Sequence, residues 1–472
     1  MVLNPRPNAR APAESTLPPK NTDKKHDDGT PEAHVNPSWG RFNGDSWLSV
    51  IGVGAIMLLC PILVIVVAIA LSDFNGSITT TLLAIATQNP IEFAKLYAPR
   101  PTIEAMLGYA AWLLFQTALY LWVPSATGYG QRTPAGHLLP YKVNGIHAWV
   151  ITHALAAGAV YLGYIDGALI AKHWGGLMVA MNVYGYFLTT ISYIKAHVDP
   201  THPDDRKFSG SKVYDFYMGV ELNPRFGKWF DFKLFHNGRP GIVAWTLIDL
   251  SYAVWQFQLH GYVTNSMIIV NILHAFYVVD FFINEDWYLR TIDICHDHYG
   301  FYLAWGSMVW LPTIYTLQAQ YLARYPVDLP TPTAIAILGI GISGYIMFRS
   351  VNHQKDIVRR TNGDCLIWGK KAEVIRAKYK TADGKDHESL LLCSGWWGLV
   401  RHANYLGDLI LSYSVCAACG FGHILPWTYA IFMTILLVQR CGRDDTRCTG
   451  KYGDDWKKYC SKVRWRLVPG IY

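Results

Sequence analysis

The chain has 472 residues, a net charge of +7, 51% hydrophobic residues and only 16% charged residues, against roughly 25% in an average soluble protein. This composition excludes an intrinsically disordered chain and a collagen-like fibre, and an odd count of nine cysteines does not fit a secreted disulfide scaffold. A long, charge-poor chain with 18 Trp and 29 Tyr residues indicates a multi-span membrane protein.

The first predicted element is a polar, proline-rich tail over residues 1–46, which cannot bury enough apolar surface to become ordered. The tail lacks the apolar core of a cleaved signal peptide. The run from Leu48 to Leu71 follows it, is long enough to cross a bilayer and contains no Lys or Arg. We therefore expect an uncleaved membrane anchor here.

Later apolar runs predict an all-α, polytopic integral membrane protein with about ten transmembrane helices joined by loops. The further spans are expected at about 103–123, 146–166, 175–195, 241–257, 266–283, 300–322 and 333–348, with two more inside 409–439. Most Lys and Arg residues fall in 195–240, 349–408 and 440–472, which ten spans place on one face. The positive-inside rule predicts that this face is cytosolic.

Two motifs that resemble functional signatures are interpreted as structural. The glycines of Gly339–Gly344 match the dinucleotide pattern GxGxxG, but they lie inside an apolar span, so we expect them to pack helices closely. Cys416 and Cys419 form a CxxC in an apolar segment without a second pair at zinc spacing. We expect both thiols to be buried as small hydrophobic groups.

Basic and aromatic side chains cluster in three segments of the predicted cytosolic face: 352–360, 395–408 and 443–459. Lys355 and Arg359 are four residues apart, so they share a helix face and make a cationic pair suited to phosphate. Trp397 and Tyr405 can pack on a planar ring. Because the hairpin 409–439 returns the chain to the same face, we expect 443–459 to lie near 395–408.

The segment 284–300 places acids, histidines and tyrosines between two apolar spans, where ionisable groups by default mark function. We expect side chains of this segment to act as general acids or proton relays, since burial would hold the pKa of a carboxyl or an imidazole group near neutral pH. A metal site is not expected, because adjacent His-Asp-His side chains point to different helix faces. A fifth segment, 223–241, alternates aromatic, basic and Gly/Pro residues and equally fits a structured interfacial loop.

These segments resemble the sterol reductase family, which includes sterol Δ14-reductases and the membrane part of the lamin B receptor. The resemblance runs from about residue 120 to the C-terminus. It is carried by the strings NPRFGKWFDFKLFHNGRPGIVAWTLI, TIDICHDHYG, NHQKD, GDCLIWGKK, RHANYLGD and RLVPGIY. Δ14-reductases are expected to read closer to HDGFG where this chain has HDHYG at 296–300, which favours a Δ7-reductase.

The resemblance implies a multi-pass enzyme of the endoplasmic reticulum membrane that reduces the C7–C8 double bond of Δ5,7-sterols with NADPH in sterol biosynthesis. We expect an N-terminal transmembrane region over 47–240 and a catalytic region with both pockets over 241–472. The partners implied are the sterol, membrane lipid and other membrane enzymes of sterol biosynthesis, and no nucleic acid. The cofactor face is expected to be cytosolic.

The family's cofactor contacts, carried over position by position, form one set of expected site residues. They fall on Lys355, Arg359, Leu392, Trp397, Asn404, Tyr405, Asp444, Cys448, Thr449, Gly450, Lys451, Tyr452 and Tyr459. Arg239 and Arg401 also match family positions, as structural residues or as site residues.

Reduction of a ring alkene needs a proton as well as a hydride, and an apolar cavity that holds the reactants together. The candidate acids are Glu285, His298 and Tyr299, with Asp297 orienting or relaying, and Tyr288 as a weaker candidate.

Several other functions stay open at this point. A sterol Δ14-reductase and a non-catalytic sterol-binding scaffold both fit the family. An isoprenylcysteine-type methyltransferase would explain RHANYLGD but not NHQKD or CHDHYG, and a transporter would not explain the basic and aromatic segments.

Overall fold

The computed structural model describes residues 46–381 and 384–472, so the predicted disorder of the tail over 1–46 falls almost entirely outside the described residues. The described chain is mostly helical, which confirms the predicted all-α membrane fold. Thr102 and Thr264 begin two of the long apolar helices by accepting hydrogen bonds from the first-turn amides of Ala105 and Met267. Each of these caps satisfies a backbone donor that would otherwise be unpaired.

The helices follow one another in chain order with short connections. In the first half they are α1 (Trp47–Asp73), α2 (Ile78–Thr87), α3 (Pro90–Tyr97), α4 (Ile103–Trp122), α5 (Gly145–Tyr161), α6 (Leu169–Lys172), α7 (Trp174–Val198), α8 (Lys212–Met218) and α9 (Phe232–His236). In the second half they are α10 (Val243–His260), α11 (Asn265–Ile283), α12 (Glu285–Tyr288), α13 (Ile292–Cys295), α14 (Phe301–Trp305), α15 (Leu311–Ile314), α16 (Leu317–Arg324), α17 (Thr331–Arg360), α18 (Trp396–Leu399), α19 (Ala403–Ala417), α20 (Thr428–Tyr452) and α21 (Asp454–Lys462). Two 3₁₀ turns, Pro203–Asp205 and Leu425–Trp427, and two π-helical segments, Asn237–Ile242 and Gly306–Trp310, complete the helical structure.

Five of the described helices, α1, α4, α7, α11 and α17, are long and apolar enough to cross a membrane, so the chain is a multi-pass membrane protein. The predicted count of ten spans is not confirmed. The run predicted at 300–322 is divided into α14, a π-helical segment, α15 and α16, and α19 has only 15 residues. Hydropathy reports the length of an apolar run, whereas the π-helical segment Gly306–Trp310 and the turn at 315–316 that divide this run are local backbone features.

Among the described residues, four short antiparallel strand pairs lie outside the helices. They are β1 (Ala126–Tyr129) with β2 (Pro140–Val143), β3 (Arg225–Phe226) with β4 (Phe230–Asp231), β5 (Leu366–Ile367) with β6 (Lys370–Lys371), and β7 (Val374–Lys380) with β8 (Asp386–Leu392). In the longest pair, Val374 faces Leu392 and Lys380 faces Asp386. This last hairpin was not predicted from the amino-acid sequence.

The glycines of the GxGxxG motif pack helices, as predicted. A Cβ atom on Gly344 would lie 2.8 Å from Ile410 Cγ2 and 2.9 Å from the carbonyl oxygen of Gly407, and one on Gly341 would lie 2.7 Å from Leu273 Cδ1. Gly339 has no atom within 4 Å of such a position. The motif therefore brings α17 against α11 and α19, a close approach that small residues permit.

The CxxC cysteines are also buried, as predicted. Gln318 Nε2 donates to Cys416 Sγ at 3.4 Å, and Cys416 Sγ donates to the carbonyl oxygen of Pro426 at 3.2 Å. These contacts hold α16 against the turn that precedes α20.

Candidate active site

A cavity of about 450 Å³ lies between the ends of α11, α17, α19 and α20, with β8 and the loop after α11 closing its sides. One part is polar and cationic, and includes Arg290, Arg359, Arg401 and Arg447. The other part is apolar, and is lined by Ile242, Trp245, Phe281, Leu311, Met433 and Leu437. A single cavity of this kind can hold a charged ligand and a flat apolar ligand next to each other.

The last turns of α17 supply the cations predicted from 352–360. Lys355 and Arg359 both line the cavity, and Lys355 Nζ lies 4.1 Å from the centroid of the Trp397 ring. Trp397 is fixed in turn, because its Nε1 donates to the carbonyl oxygen of Val351 at 2.9 Å. The first two basic and aromatic segments, which the sequence did not predict to be neighbours, therefore meet in a direct cation–π contact.

The C-terminal segment packs against 395–408, as predicted. Tyr459 OH donates to the carbonyl oxygen of Trp397 at 3.4 Å, and the backbone amide of His402 donates to the carbonyl oxygen of Arg466 at 2.9 Å. Arg401 lies 3.7 Å from Asp445. These contacts hold α20 and α21 over the cationic part of the cavity.

Burial and neighbouring charges together set the pKa values of two charged side chains on α20. Burial raises the pKa of Asp444, but the charge of Arg447 and its hydrogen bonds at 3.0 and 2.5 Å outweigh this effect, so the pKa lies well below its usual range. Burial lowers the pKa of Lys451 to about 8, with the nearby charge of Arg447 acting in the same direction. Lys451 Nζ lies 4.0 Å from the centroid of Tyr379 in β7.

The start of α19 presents a neutral aromatic pair and an unsatisfied amide. The rings of His402 and Tyr405 stack with 4.9 Å between centroids and 5° between planes. Burial lowers the pKa of His402 to about 4, so its imidazole is neutral at pH 7. Asn404 Oδ1 is buried without a hydrogen-bond partner and belongs to a residue that lines the cavity. An acceptor left open in this way fits a ligand that donates an N–H.

Most of the expected cofactor residues line this cavity. They are Lys355, Arg359, Leu392, Trp397, Asn404, Tyr405, Asp444, Cys448, Tyr452 and Tyr459. Thr449, Gly450 and Lys451 are not among the lining residues, and Thr449 is an exposed residue whose hydroxyl donates to the carbonyl oxygen of Asp445 at 2.8 Å. The three lie on the same helix as the lining residues, so their part in a cofactor site stays a prediction.

Glu285, an expected acid, does not line the cavity. It is fully buried and forms an ion pair with Arg239, while its Oε2 accepts a hydrogen bond from the backbone amide of Gly145 at 2.8 Å. Arg239 Nη2 also donates to Asn144 Oδ1 at 2.9 Å. This network joins the loop after α11 to the start of α5 and to the π-helical segment before α10.

Asp297, His298 and Tyr299 also lie outside the cavity lining. Asp297 forms an ion pair with Arg443 and a contact of 3.0 Å with His296 Nδ1. His298 Nε2 is 3.1 Å from the carbonyl oxygen of Asp205. Within residues 46–381 and 384–472, no three His, Cys, Asp or Glu side chains are grouped in a way that could hold a metal ion. Tyr288, the weaker candidate, does line the cavity, and its hydroxyl accepts a hydrogen bond from Asn237 Nδ2 at 2.8 Å.

Sequence reasoning predicted Asp444 but did not identify Arg440 and Arg447 as site residues, although both also line the cavity. Arg440, Asp444 and Arg447 are spaced by four and three residues along α20, and this helical spacing could have placed both arginines beside Asp444. No comparable signal pointed to Tyr277 or Tyr315, because an isolated tyrosine in an apolar span is usually an interfacial or core residue.

The chain matches the ergosterol biosynthesis ERG4/ERG24 family over residues 49–472. It is 50% identical to a 7-dehydrocholesterol reductase of Danio rerio over 447 residues, which are 92% of this chain and 94% of that protein. It is 48% identical to a 7-dehydrocholesterol reductase of Xenopus laevis, with 95% and 98% of the two chains covered. It is also 40% identical to a Delta(14)-sterol reductase of Methylotuvimicrobium alcaliphilum, with 91% and 95% covered. The resemblance found in the sequence is therefore confirmed: the chain belongs to the ERG4/ERG24 family and is a sterol reductase, an oxidoreductase of the membrane.

Proposed function

We propose that this sterol reductase reduces the C7–C8 double bond of Δ5,7-sterols and uses NADPH as the reductant. The observation that carries the proposal is the continuity of the cavity, in which a cationic part lined by Lys355, Arg359 and Arg447 adjoins an apolar part around Trp245 and Met433. A dinucleotide with several phosphates fits the first part, and a flat, apolar sterol fits the second.

The residues present fit NADPH. Lys355, Arg359 and Arg447 would bind its phosphates, since guanidinium and ammonium groups are the strongest phosphate donors in proteins. Trp397 and Tyr405 offer flat surfaces, and the unpaired Oδ1 of Asn404 would accept a hydrogen bond from a carboxamide or an amino group. When bound, NADPH supplies a hydride. The tight cover of β8 and α20 would exclude water from the reacting atoms.

The apolar part would orient the sterol without a charged anchor. Trp245 and Tyr315 meet at 5.2 Å between centroids, edge to face, and form one rigid wall. A sterol partitions into the hydrocarbon part of the membrane, so it would enter from the lipid phase and not from the cytosol.

The choice of double bond rests on the HDHYG string at 296–300 and on the names of the two vertebrate relatives at 50% and 48% identity. A Δ14-reductase remains the second candidate, because the relative of that name is 40% identical over a comparable length. A non-catalytic scaffold would have no use for an unsatisfied acceptor beside a cationic cluster.

The decisive experiment is product analysis. Membranes that contain the full chain would be incubated with NADPH and either 7-dehydrocholesterol or a Δ14-sterol. We expect conversion of the Δ5,7-sterol to the Δ5-sterol and little conversion of the other. Preferential reduction of the Δ14-sterol would overturn the proposed bond specificity, and no conversion of either would overturn the proposed function.

We further propose that residues 241–472 form the catalytic region and that the cationic part of the cavity opens to the cytosolic side of the endoplasmic reticulum membrane. Gln131 and Asn237 are the only lining residues among the described residues that precede 241. The basic segments 349–408 and 440–472, which the positive-inside rule assigns to the cytosol, carry the cationic lining. Association with other membrane enzymes of sterol biosynthesis remains a prediction.

A further inference from the structure

The carboxyl groups that line the cavity differ in whether they have a counter-charge. Five aspartates line it, namely Asp280, Asp293, Asp356, Asp408 and Asp444. Four are ion-paired with arginines. Asp280 lies 3.2 Å from Arg349, Asp293 lies 2.6 Å from Arg440, Asp356 lies 2.8 Å from Arg360, and Asp444 lies 2.5 Å from Arg447. A positive charge beside a carboxyl group favours its ionised form, and each of these four groups has such a dedicated partner.

Asp408 is the exception among the described residues. It is 7% exposed and lines the cavity, yet its carboxyl group has no ion pair and no hydrogen bond to the rest of the described chain. The charge that acts on it most is Arg440, whose Nη2 already donates to Asp293 at 2.6 Å. A buried carboxyl without a dedicated partner is held in its neutral, proton-bearing form.

The position of Asp408 suits a reaction between the two parts of the cavity. It follows Asn404 and Tyr405 by four and three residues on α19, so the three side chains share one face of the helix. The titratable groups close enough to interact with Asp408 from the neighbouring elements are Tyr277 of α11, Tyr315 after α15, and Tyr429 and Arg440 of α20. Asp408 therefore lies beyond the proposed cofactor residues, towards the apolar part.

We propose that Asp408 is the catalytic acid that protonates the sterol double bond, an assignment that rests on the proposed function. The O–H bond of the carboxyl breaks, and the π electron pair of the alkene forms a C–H bond with this proton. The adjacent carbon, left electron-deficient, takes the hydride that NADPH supplies, which completes the saturated C–C bond. The Asp408 carboxylate regains a proton from water that reaches the polar part of the cavity.

The first test compares Asp408→Asn with Asp364→Asn, which makes the same chemical change at an exposed residue beyond the end of α17. The full-length variants would be assayed for single-turnover sterol reduction and, separately, for NADPH binding by fluorescence titration. Loss of a general acid lowers the rate by about 10²–10⁴-fold. We expect such a loss of rate for Asp408→Asn. Its NADPH dissociation constant should stay within about twofold of wild type, which corresponds to a change of at most about 0.4 kcal/mol in the binding free energy. The Asp364→Asn variant should retain the full rate.

A wild-type rate in Asp408→Asn would overturn the assignment, and a failure of wild-type protein to bind NADPH or to reduce the sterol would instead overturn the proposed function. If the Asn variant does not fold, the pH dependence of the wild-type single-turnover rate at saturating NADPH decides. We expect the rate to fall with rising pH within about pH 6–9, because only the protonated acid reacts. A flat profile over this range would overturn the assignment, and the Asp408→Glu variant, which keeps an acid, should retain a sloping profile.

Discussion

The ammonium group of Lys355 lies 4.1 Å from the centre of the Trp397 indole ring, and Trp397 is itself tied to the backbone of Val351 on the same helix as Lys355. A cation and a stacking surface from segments 42 residues apart in sequence are therefore fixed beside each other. This arrangement is suited to a nucleotide that carries an extra phosphate.

We expect Lys355→Ala to weaken NADPH binding far more than NADH binding. A charge-assisted hydrogen bond contributes about 1.5–3 kcal/mol, so the dissociation constant of NADPH should rise about tenfold or more. Fluorescence titration of both nucleotides measures the effect, and Lys370→Ala, which removes an exposed lysine in β6, is the control. Equal weakening of the two nucleotides would contradict a contact between Lys355 and the 2′-phosphate.

NADPH binding should weaken as the pH rises through about 8. Burial lowers the pKa of Lys451 to about 8, so this side chain is a cation below that pH and loses its charge above it. The cation attracts phosphate, and the dissociation constant should therefore be constant at lower pH and rise above pH 8. Lys451→Arg, which stays charged, should reduce the slope. An unchanged slope in that variant would remove Lys451 from the phosphate site.

The pair of Arg239 and Glu285 should act in folding. Both side chains are fully buried, so Glu285→Gln leaves an uncompensated guanidinium and should lower the free energy of unfolding by about 3–5 kcal/mol. Titration with a denaturing detergent measures this change. Glu92→Gln, in an exposed pair with Lys95, should cost at most about 1 kcal/mol. If Glu285→Gln instead keeps wild-type stability and loses only turnover, Glu285 acts as the acid.

Two glycines of the same helix provide a matched pair of variants. Gly344→Ala places a methyl group 2.8 Å from Ile410 and should destabilise the contact between α17 and α19 by about 1–3 kcal/mol. Gly339→Ala meets no atom within 4 Å and should be neutral or stabilise the helix by up to about 1 kcal/mol. The difference in thermal unfolding temperature between the two variants is the measurement, and equal temperatures would contradict the packing role of the motif.

The sequence alone was informative where chemistry is concentrated in short segments. The helical spacing of Lys355 and Arg359 and the aromatic and amide groups of 395–408 indicated a phosphate and ring site, and the fold brings both segments to one cavity. Lys355 and Arg359 could be assigned to one face of α17 because four residues make about one helical turn.

Other parts of the site depended on contacts between distant segments. Glu285 and Asp297 are candidate acids in a segment between two apolar runs. Only the tertiary structure shows that they pair with Arg239 and Arg443 and that neither lines the cavity. The hairpin of β7 and β8 was missed because its polar, exposed edge gives no strong alternation. The interruption of the run at 300–322 was missed because hydropathy does not register a π-turn.

Apolar length, charge distribution and long motifs are properties of the chain alone, and they were enough to predict an all-α membrane protein of the sterol reductase family. Which ionisable groups face the cavity, and which are paired with an arginine, depends on contacts between distant segments and followed only from the fold. Asp293 and Asp408 are the same residue type, so the sequence alone does not distinguish their charge states. They differ because Arg440 of α20 lies 2.6 Å from Asp293, whereas Asp408 has no ion pair within residues 46–381 and 384–472. The charge state of a buried carboxyl group depends on such neighbours.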